Sequence, residues 1–427
     1  MKGFGVTVLG CVIALGLLGV TPATAQPALP GLPALPSSPS PQDFYAAVMP
    51  SDVGDPFFDT YPTNLATYAV GQIMEQRDVT ATAGPFVLTP VNRVTQFKFR
   101  TNDASGQPSF GTATLIVPAA PWLGEGDRPV VVNNLPIDSL GRSCTPGYTM
   151  SKGLTLTTNP TDFVPPVTPL ATARGYAVLV PDHQGPRMAY AEPRTAGKIV
   201  LDSIRAIRSL GSEFNESRYG MTGYSGGAIA TNGAAKLIDS YAPELGQFIV
   251  GAALGGTPID DEVLVQSMSG NAFNLAKGLM IAAGYGIARE NPEIFTQLNV
   301  PARIVAPLLR DLCTIPLAAL GILPMPVELL ANVPDPFNST FAHGIYAQMK
   351  MEGVKHGTPM YVYNGAQEFW IPSVMAKELY AEQCALGTSS VLRLPFGEHA
   401  IAAVTGFPEA MNWLDSRLQG LPAISEC

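Results

Sequence analysis

Residues 218–228 have the sequence Arg218-Tyr219-Gly220-Met221-Thr222-Gly223-Tyr224-Ser225-Gly226-Gly227-Ala228, and this segment decides the fold of the 427-residue chain. It predicts a strand, a tight turn and a helix of small residues. Gly223-x-Ser225-x-Gly227 fits a nucleophile elbow, in which a strained turn raises a serine hydroxyl above a sheet. Glycine two residues to either side lets the backbone pass without a Cβ clash. The helix would also point its first N–H groups at the place where an oxyanion forms.

Predicted strands and helices alternate on both sides of this elbow. Residues 94–100 alternate apolar and polar side chains and predict a hairpin with residues 110–117. Buried strands are predicted at residues 129–134, 175–182, 248–254, 359–364 and 390–395. Helices are predicted at residues 43–49, 65–76, 194–210, 226–239, 373–384 and 405–418. Because buried strands alternate with helices, we expect an α/β fold with a mainly parallel sheet flanked by helices.

Residues 257–338 interrupt this alternation. The region is apolar, is helical in places, contains several prolines and has no evident strand pattern. It falls between the strand after the elbow and the last two strands. We therefore interpret it as a helical cap that covers a site and offers apolar surface to a substrate. The predicted core consists of residues 42–256 and 339–427.

The N-terminal segment has the pattern of an export signal. Lys2 precedes an apolar run at residues 6–20, and Ala23-Thr24-Ala25 fits a cleavage site. We expect residues 1–25 to be a signal peptide cleaved after Ala25, residues 26–41 to be a proline-rich leader, and the mature protein to be secreted. Every later apolar stretch is shorter than the ~20 residues of a membrane-spanning helix.

Charge and cysteine content narrow the functional classes. The formal net charge of −9 and the lack of a basic run argue against a nucleic-acid partner. Removal of Cys11 with the signal peptide leaves Cys144, Cys313, Cys384 and Cys427. An even number in an exported chain indicates two disulfides, with three possible pairings. Since no Cys/His cluster is present, we expect no metal site. We also expect a monomer.

A serine nucleophile needs a base, and His399 is the best placed of the four histidines. It follows the last predicted strand, where the base belongs in the Ser, acid, His order of such folds. The other three histidines lie before the serine, beside the cap or at the wrong end of a strand, namely His183, His343 and His356.

The acid that orients the base should follow the penultimate strand. Glu368 is the only carboxylate in the turn at residues 365–372. Aspartate is usual at this point, and glutamate is one methylene longer. Asp260 and Asp261 follow the strand at residues 248–254 and remain alternatives.

Two backbone N–H groups are expected to bind the oxyanion. The first belongs to Gly226, the residue after the nucleophile. The second lies in the loop after the strand at residues 129–134, and we assign it to Asp138.

Taken together, these motifs resemble the secretory lipase family. The resemblance rests on Gly-Tyr-Ser-Gly-Gly at 223–227, Asp-Ser-x-x-x-x-Cys-x-Pro at 138–146, Pro-Asp-His-Gln-Gly at 181–185, Gly-x-x-Glu-x-x-x-Pro at 365–372 and Gly-Glu-His at 397–399. It implies an α/β-hydrolase core, a helical cap before the acid, and triacylglycerol lipase or carboxylesterase activity without a cofactor.

The resemblance also carries roles to individual residues. It implies Ser225 as nucleophile, His399 as base, and Gly226 and Asp138 as oxyanion donors. It implies Glu368 as the acid, where this sequence departs from the aspartate of the family. The disulfides that it implies are Cys144–Cys313 and Cys384–Cys427.

The sequence therefore predicts a secreted serine ester hydrolase. The expected substrates are lipids or other esters with apolar acyl groups, met at an oil–water interface, and triacylglycerol lipase is the leading activity. A short-chain carboxylesterase or polyesterase is the alternative within enzymes. An inactive hydrolase fold that acts as a surface binding protein is the alternative outside them.

Overall fold

The computed structural model describes residues 40–153, 158, 165–268, 275–323 and 326–427. The expected signal peptide and residues 26–39 of the leader lie outside the described residues. A nine-stranded sheet forms the centre of the molecule. Its strands, in chain order, are β1 (Ile73–Asp78), β2 (Val91–Asn102), β3 (Pro108–Pro118), β4 (Val130–Asn134), β5 (Ala177–Pro181), β6 (Tyr219–Tyr224), β7 (Ile249–Gly255), β8 (Met360–Tyr363) and β9 (Ser390–Arg393).

The strand order across the sheet is β1-β2-β3-β5-β4-β6-β7-β8-β9. β1, β2 and β3 pair antiparallel, and β3 joins β5 antiparallel. The remaining neighbours, from β5 to β9, pair parallel. The predicted hairpin and the mainly parallel sheet are both confirmed.

The carboxyl ends of the parallel strands meet at one edge. Tyr224 at the end of β6 pairs with Gly255 of β7, Gly255 pairs with Tyr363 of β8, and Tyr363 pairs with Arg393 of β9. Ligand sites of open α/β sheets lie beyond such ends. The register therefore gathers the segments after β6, β8 and β9 at a single place.

Helices cover both faces of the sheet and make up most of the described part of residues 257–338. In chain order they are α1 (Pro41–Val48), α2 (Pro56–Asp59), α3 (Thr80–Val87), α4 (Pro146–Lys152), α5 (Val167–Ala173), α6 (Pro193–Arg208), α7 (Gly226–Tyr241), α8 (Asp261–Met268), α9 (Leu275–Glu290), α10 (Val300–Leu309), α11 (Thr314–Ala319), α12 (Thr340–Lys350), α13 (Val374–Ala385), α14 (His399–Thr405) and α15 (Phe407–Leu418).

Alternate valines of β4 pack in two different hydrophobic clusters, one on each face of the sheet. Val130 and Val132 pack in a cluster with Val200 of α6, on one face of the sheet. Val131 packs on the other face, in a cluster with Met411 and Leu414 of α15. Full burial of one such side chain contributes about 1.5–3 kcal/mol. The run of three valines in β4 is thus explained by a sheet with two covered faces.

The described part of residues 257–338 is helical. It contains α8 to α11 and the 3-10 segments Pro292–Gln297, Leu320–Ile322, Val327–Leu330 and Pro336–Asn338, with an isolated bridge between Leu298 and Ala331. Its core includes Tyr285, Phe295 and Leu317, which cluster with Phe44 and Val48 of α1. The N-terminal arm therefore packs against this region.

One predicted helix differs from the structure. Residues 65–76 form a 3-10 turn (Leu65–Thr67) followed by strand β1, so the prediction of a helix there was wrong. β1 is an edge strand with mostly polar, partly exposed residues, and its backbone pairing with β2 outweighs its sequence pattern. The helix predicted at 405–418 is confirmed as α15, which begins at Phe407, and Gly406 separates it from α14.

Candidate active site

Ser225 lies on a strained turn between β6 and α7. Its φ of 54° and ψ of −123° are rare for a residue with a Cβ, and such a backbone costs about 1–3 kcal/mol. The Ser225 N–H donates to the carbonyl of Gly255 at 2.9 Å, which ties the turn to β7. A Cβ on Gly223 would lie 2.1 Å from the Gly227 oxygen, and one on Gly227 would lie 1.8 Å from the Asn134 oxygen. Both glycines are therefore required sterically, as the motif predicts.

His399 connects the serine to an acid. Its Nε2 lies 3.0 Å from Oγ of Ser225, and its Nδ1 lies 2.9 Å from Oε2 of Glu368. A carboxylate can only accept, so Nδ1 carries the proton and Nε2 is free to accept from the serine hydroxyl. The fold brings these residues together although His399 is 174 positions from Ser225 and 31 positions from Glu368 in the sequence.

Neighbouring aromatic residues fix the position of His399. The hydroxyl of Tyr224 donates to the His399 carbonyl at 2.5 Å, and the Trp370 ring stacks on the imidazole with centroids 5.8 Å apart. The Glu398 carboxylate caps α14 through the N–H groups of Ala400 and Ile401. Neither Tyr224 nor Trp370 was predicted as a site residue, although each lies within two residues of one.

The Glu368 side chain is fully buried, and both of its oxygens accept hydrogen bonds. Oε1 accepts from the N–H groups of Trp370 at 2.8 Å and Ile371 at 3.2 Å, while Oε2 faces His399. Burial alone would raise the pKa of this carboxyl. The hydrogen bond and charge of His399, with the two backbone donors, outweigh burial and lower the pKa below its ordinary value. Glu368 is therefore ionised at neutral pH.

The two alternative acids make other contacts. Asp260 pairs with Lys350 at 2.8 Å and caps α8 through the N–H groups of Glu262 and Val263. Burial, together with the charge of Asp260, raises the pKa of the Asp261 carboxyl to about 7. Among the described residues, His399 has Glu368 as its carboxylate partner.

Asp138 lies in the loop after β4, beside the elbow. Its φ is 44°, and a Cβ built on Gly226 would lie 1.7 Å from the Asp138 Oδ1 atom. Only glycine fits at residue 226. Burial raises the pKa of the Asp138 carboxyl to about 6, against the opposing effects of His399, Ser225, Gly226 and Tyr190. Within the described chain, the Asp138 N–H has no hydrogen-bond acceptor.

The other histidines lie away from the serine. His183 is buried, with Nε2 at 2.8 Å from the Leu135 carbonyl, and burial lowers its pKa to about 4. His356 is buried beside Asn232, at 2.8 Å, and burial lowers its pKa to about 3. His343 lies 3.6 Å from Glu262. None of these contacts involves Ser225.

Both disulfides implied by the resemblance are formed. Cys144 bonds to Cys313, and Cys384 bonds to Cys427. The first joins the loop after β4 to the region before α11, and the second joins α13 to residue 427. In the described ranges, no group of three or more His, Cys, Asp or Glu side chains could hold a metal ion. None of the helices described here has the length and apolar character needed to cross a membrane.

The sheet order, the strained elbow and the helical region before β8 define the chain as an α/β hydrolase. Its sequence matches the secretory lipase family over residues 151–319 and 338–426. It is 29% identical to Lipase 5 of Candida albicans over 395 residues, which covers 87% of this chain and 82% of that lipase. It is 30% identical to Lipase 2 of the same organism over 361 residues, covering 79% of this chain and 74% of that lipase.

A solved structure has the same overall arrangement. Candida antarctica lipase A superposes with a TM-score of 0.75 at 25% sequence identity, covering 90% of this chain and 88% of that structure. The chain belongs to the secretory lipase family. It is accordingly a secreted carboxylic ester hydrolase of the triacylglycerol lipase class.

Proposed function

We propose that Ser225, Glu368 and His399 are the catalytic residues of this lipase and that it hydrolyses apolar acyl esters through an acyl-enzyme. The observation that supports this most directly is the unbroken line of contacts from the Ser225 hydroxyl through His399 to Glu368, at 3.0 and 2.9 Å. A serine beside a base, with the base oriented by a third group, is the arrangement of nucleophilic catalysis.

The reaction proceeds in two stages. His399 Nε2 takes the Ser225 proton as Oγ bonds to the ester carbonyl carbon, and the carbonyl oxygen becomes an oxyanion. The C–O bond to the alcohol then breaks, and His399 returns its proton to the leaving alcohol. In the second stage water attacks the acyl-enzyme, giving up a proton to His399, and the acid is released as Ser225 regains its proton. Glu368 stabilises the imidazolium in both stages without itself being protonated.

Two N–H groups stabilise the oxyanion in this proposal. Gly226 follows the nucleophile and opens α7, so its N–H lies at the positive end of the helix dipole. The Asp138 N–H lies in the loop against Gly226 and has no acceptor in the described chain. Removing one such donor typically slows turnover by about 100- to 1,000-fold.

Exposed apolar side chains on α10 and beside Glu368 and His399 favour a water-insoluble substrate. Helix α10 exposes Val300, Ile304 and Leu308 at 62%, 61% and 49%, and their spacing of four residues places them on one face. Phe369 follows the acid and is 60% exposed, and Phe396 precedes the base and is 72% exposed. Exposed apolar patches mark membrane or ligand contacts. We therefore propose that the protein works at an oil–water interface.

The mechanism is tested by covalent labelling and by a substrate profile. The wild type should react with a fluorophosphonate at Ser225, whereas Ser225→Ala should not react and should lose turnover with an unchanged melting temperature. Wild-type turnover in Ser225→Ala would refute the mechanism. No label on the wild type would favour the surface binding protein.

The acyl preference is tested by comparing emulsified long-chain triglyceride with soluble short-chain esters. Faster hydrolysis of the triglyceride supports the lipase, and activity restricted to soluble or polymeric esters supports the esterase alternative.

Export and assembly are proposed as well. Cleavage after Ala25 would leave Gln26 as the first residue of the mature chain. Mass spectrometry of protein recovered from the culture medium tests this boundary. Sedimentation of the same material tests whether the mature protein is a monomer.

A further inference from the structure

The cap is joined to the loop that carries the second oxyanion donor. The Leu140 N–H donates to the Leu312 carbonyl at 2.9 Å, and the Cys144–Cys313 disulfide lies beside this contact. Buried Arg289 of α9 donates to the Leu140 carbonyl at 2.7 Å. The region before α11 therefore packs against residues 137–144 and holds them in place.

Two hydroxyls converge on a single carbonyl oxygen in this loop. The Ile137 oxygen accepts from Ser139 Oγ at 2.6 Å and from Thr314 Oγ1 at 3.0 Å. The two hydroxyls are also 3.1 Å apart. Ser139 belongs to the loop itself, whereas Thr314 is the first residue of α11 in the cap.

The Ile137 carbonyl belongs to the same peptide group as the Asp138 N–H. In a planar trans peptide the C=O and N–H bonds point in opposite directions. Anchoring the oxygen on the cap side therefore fixes the direction of the N–H, which is the proposed oxyanion donor. Hydrogen bonds accepted by a carbonyl also polarise the amide and strengthen its N–H as a donor.

The backbone at Asp138 makes this anchoring necessary. A φ of 44° is unfavourable for a residue with a Cβ. A flip of the peptide between Ile137 and Asp138 would return this φ to the negative range and turn the N–H away. The flip would also break both hydroxyl hydrogen bonds to the Ile137 oxygen. Ser139 and Thr314 thus oppose the relaxation that the local strain favours.

We propose that Thr314 is a positioning residue for the oxyanion hole, so that a side chain of the cap sets the direction of the Asp138 N–H. This inference rests on the proposed function of Ser225 and Asp138. It gives the cap a role in the chemical step, in addition to any role in substrate binding.

The test compares Thr314→Val, which keeps the shape and removes the hydroxyl, with Thr314→Ser, which keeps the hydroxyl. On a soluble short-chain ester, Thr314→Val should lower kcat by about tenfold with KM unchanged, less than the loss expected for removing a donor outright. An alkyl boronic acid, which bonds reversibly to the serine oxygen and mimics the oxyanion, should bind more weakly by a similar factor. Thr314→Ser should restore both values to within about twofold of the wild type.

Thr296→Val is the matched control, because the Thr296 hydroxyl also lies in the cap but donates to the Glu293 carbonyl. It should leave kcat and boronic acid binding unchanged. Wild-type kcat in Thr314→Val would overturn the inference, and so would a rise in KM with kcat unchanged. An equal fall in kcat in Thr314→Ser, together with a lower melting temperature, would also overturn it. A wild type that neither turns over nor reacts with the fluorophosphonate would refute the proposed function instead.

Discussion

The Glu368 carboxylate contacts both His399 and the backbone of its own turn. One carboxylate oxygen accepts from the N–H groups of Trp370 and Ile371, and the other lies 2.9 Å from the imidazole Nδ1. The two backbone donors thereby hold the glutamate side chain in place. The two oxygens of the Glu368 carboxylate therefore have separate partners.

Glu368→Gln should lower kcat on a soluble ester by about 10,000-fold, because loss of the charge removes the stabilisation of the imidazolium and of the required tautomer. Asp260→Asn is the control and should stay within about twofold of the wild type. The measurement is steady-state turnover at pH 8. Wild-type turnover in the Glu368 variant would reject Glu368 as the acid.

Asp182→Asn should make stability less dependent on pH. Burial raises the pKa of the Asp182 carboxyl to about 6, although Thr112 and the Gly147 N–H donate to it. The folded state then holds a proton that the unfolded state releases near pH 4. Protonated Asp182 makes its whole contribution to the free energy of unfolding below pH 4. This contribution, up to about 3 kcal/mol, is lost as the pH rises to 6.

Chemical denaturation between pH 4 and pH 7 checks this expectation. Asp182→Asn should lose part of the decline in the free energy of unfolding that the wild type shows. The exposed Asp239→Asn is the control and should keep the wild-type slope. An unchanged slope in Asp182→Asn would contradict the assignment.

Val300→Ser combined with Ile304→Ser should separate interfacial from soluble activity. Each substitution removes an exposed apolar side chain that would be buried in an oil surface. Hydrolysis of emulsified triglyceride should fall by about five- to tenfold from weaker adsorption. Turnover of a soluble short-chain ester should not change.

Leu123→Ser is the matched control for this pair of substitutions. Leu123 is 89% exposed, but it precedes β4 and so lies at the opposite edge of the parallel strands. Its replacement should leave both activities unchanged. Equal losses on the emulsion from Leu123→Ser and from the double variant would show that α10 has no special role.

Replacing Cys384 and Cys427 together by serine should lower stability without affecting turnover. This disulfide closes a loop of 43 residues. The chain-entropy model gives a loss of about 4 kcal/mol for a loop of this length. Thermal unfolding and turnover at 25 °C are the two measurements. A large fall in kcat with an unchanged melting temperature would place this disulfide in the active site instead.

The sheet and the proposed triad were predictable because the relevant signals are local. Each buried strand is a short apolar run, and each candidate residue follows the end of one such strand. In such folds the serine, the acid and the histidine follow one another in that order along the chain. This order favours His399 over His183 and His356 as the base. The structure places His399 between Ser225 and Glu368, in agreement with that order.

Other features were not predictable because they depend on distant partners. β1 has a polar sequence, and only its pairing with β2 makes it a strand. The contact between Thr314 and the Ile137 carbonyl joins residues 177 positions apart, and neither residue type marks it. The stacking of Trp370 on His399 likewise arises from tertiary packing.

The order of the site residues along the chain has a consequence for biosynthesis. Ser225 and its elbow are made 174 residues before His399, and Glu368 also precedes the base. With the proposed roles of Ser225 and His399, a nascent chain carries the nucleophile through 174 residues of translation before its base is made. A chain interrupted in that stretch is expected to be inactive, because it lacks the proposed base. The proposed triad therefore becomes complete only after most of the chain has been made.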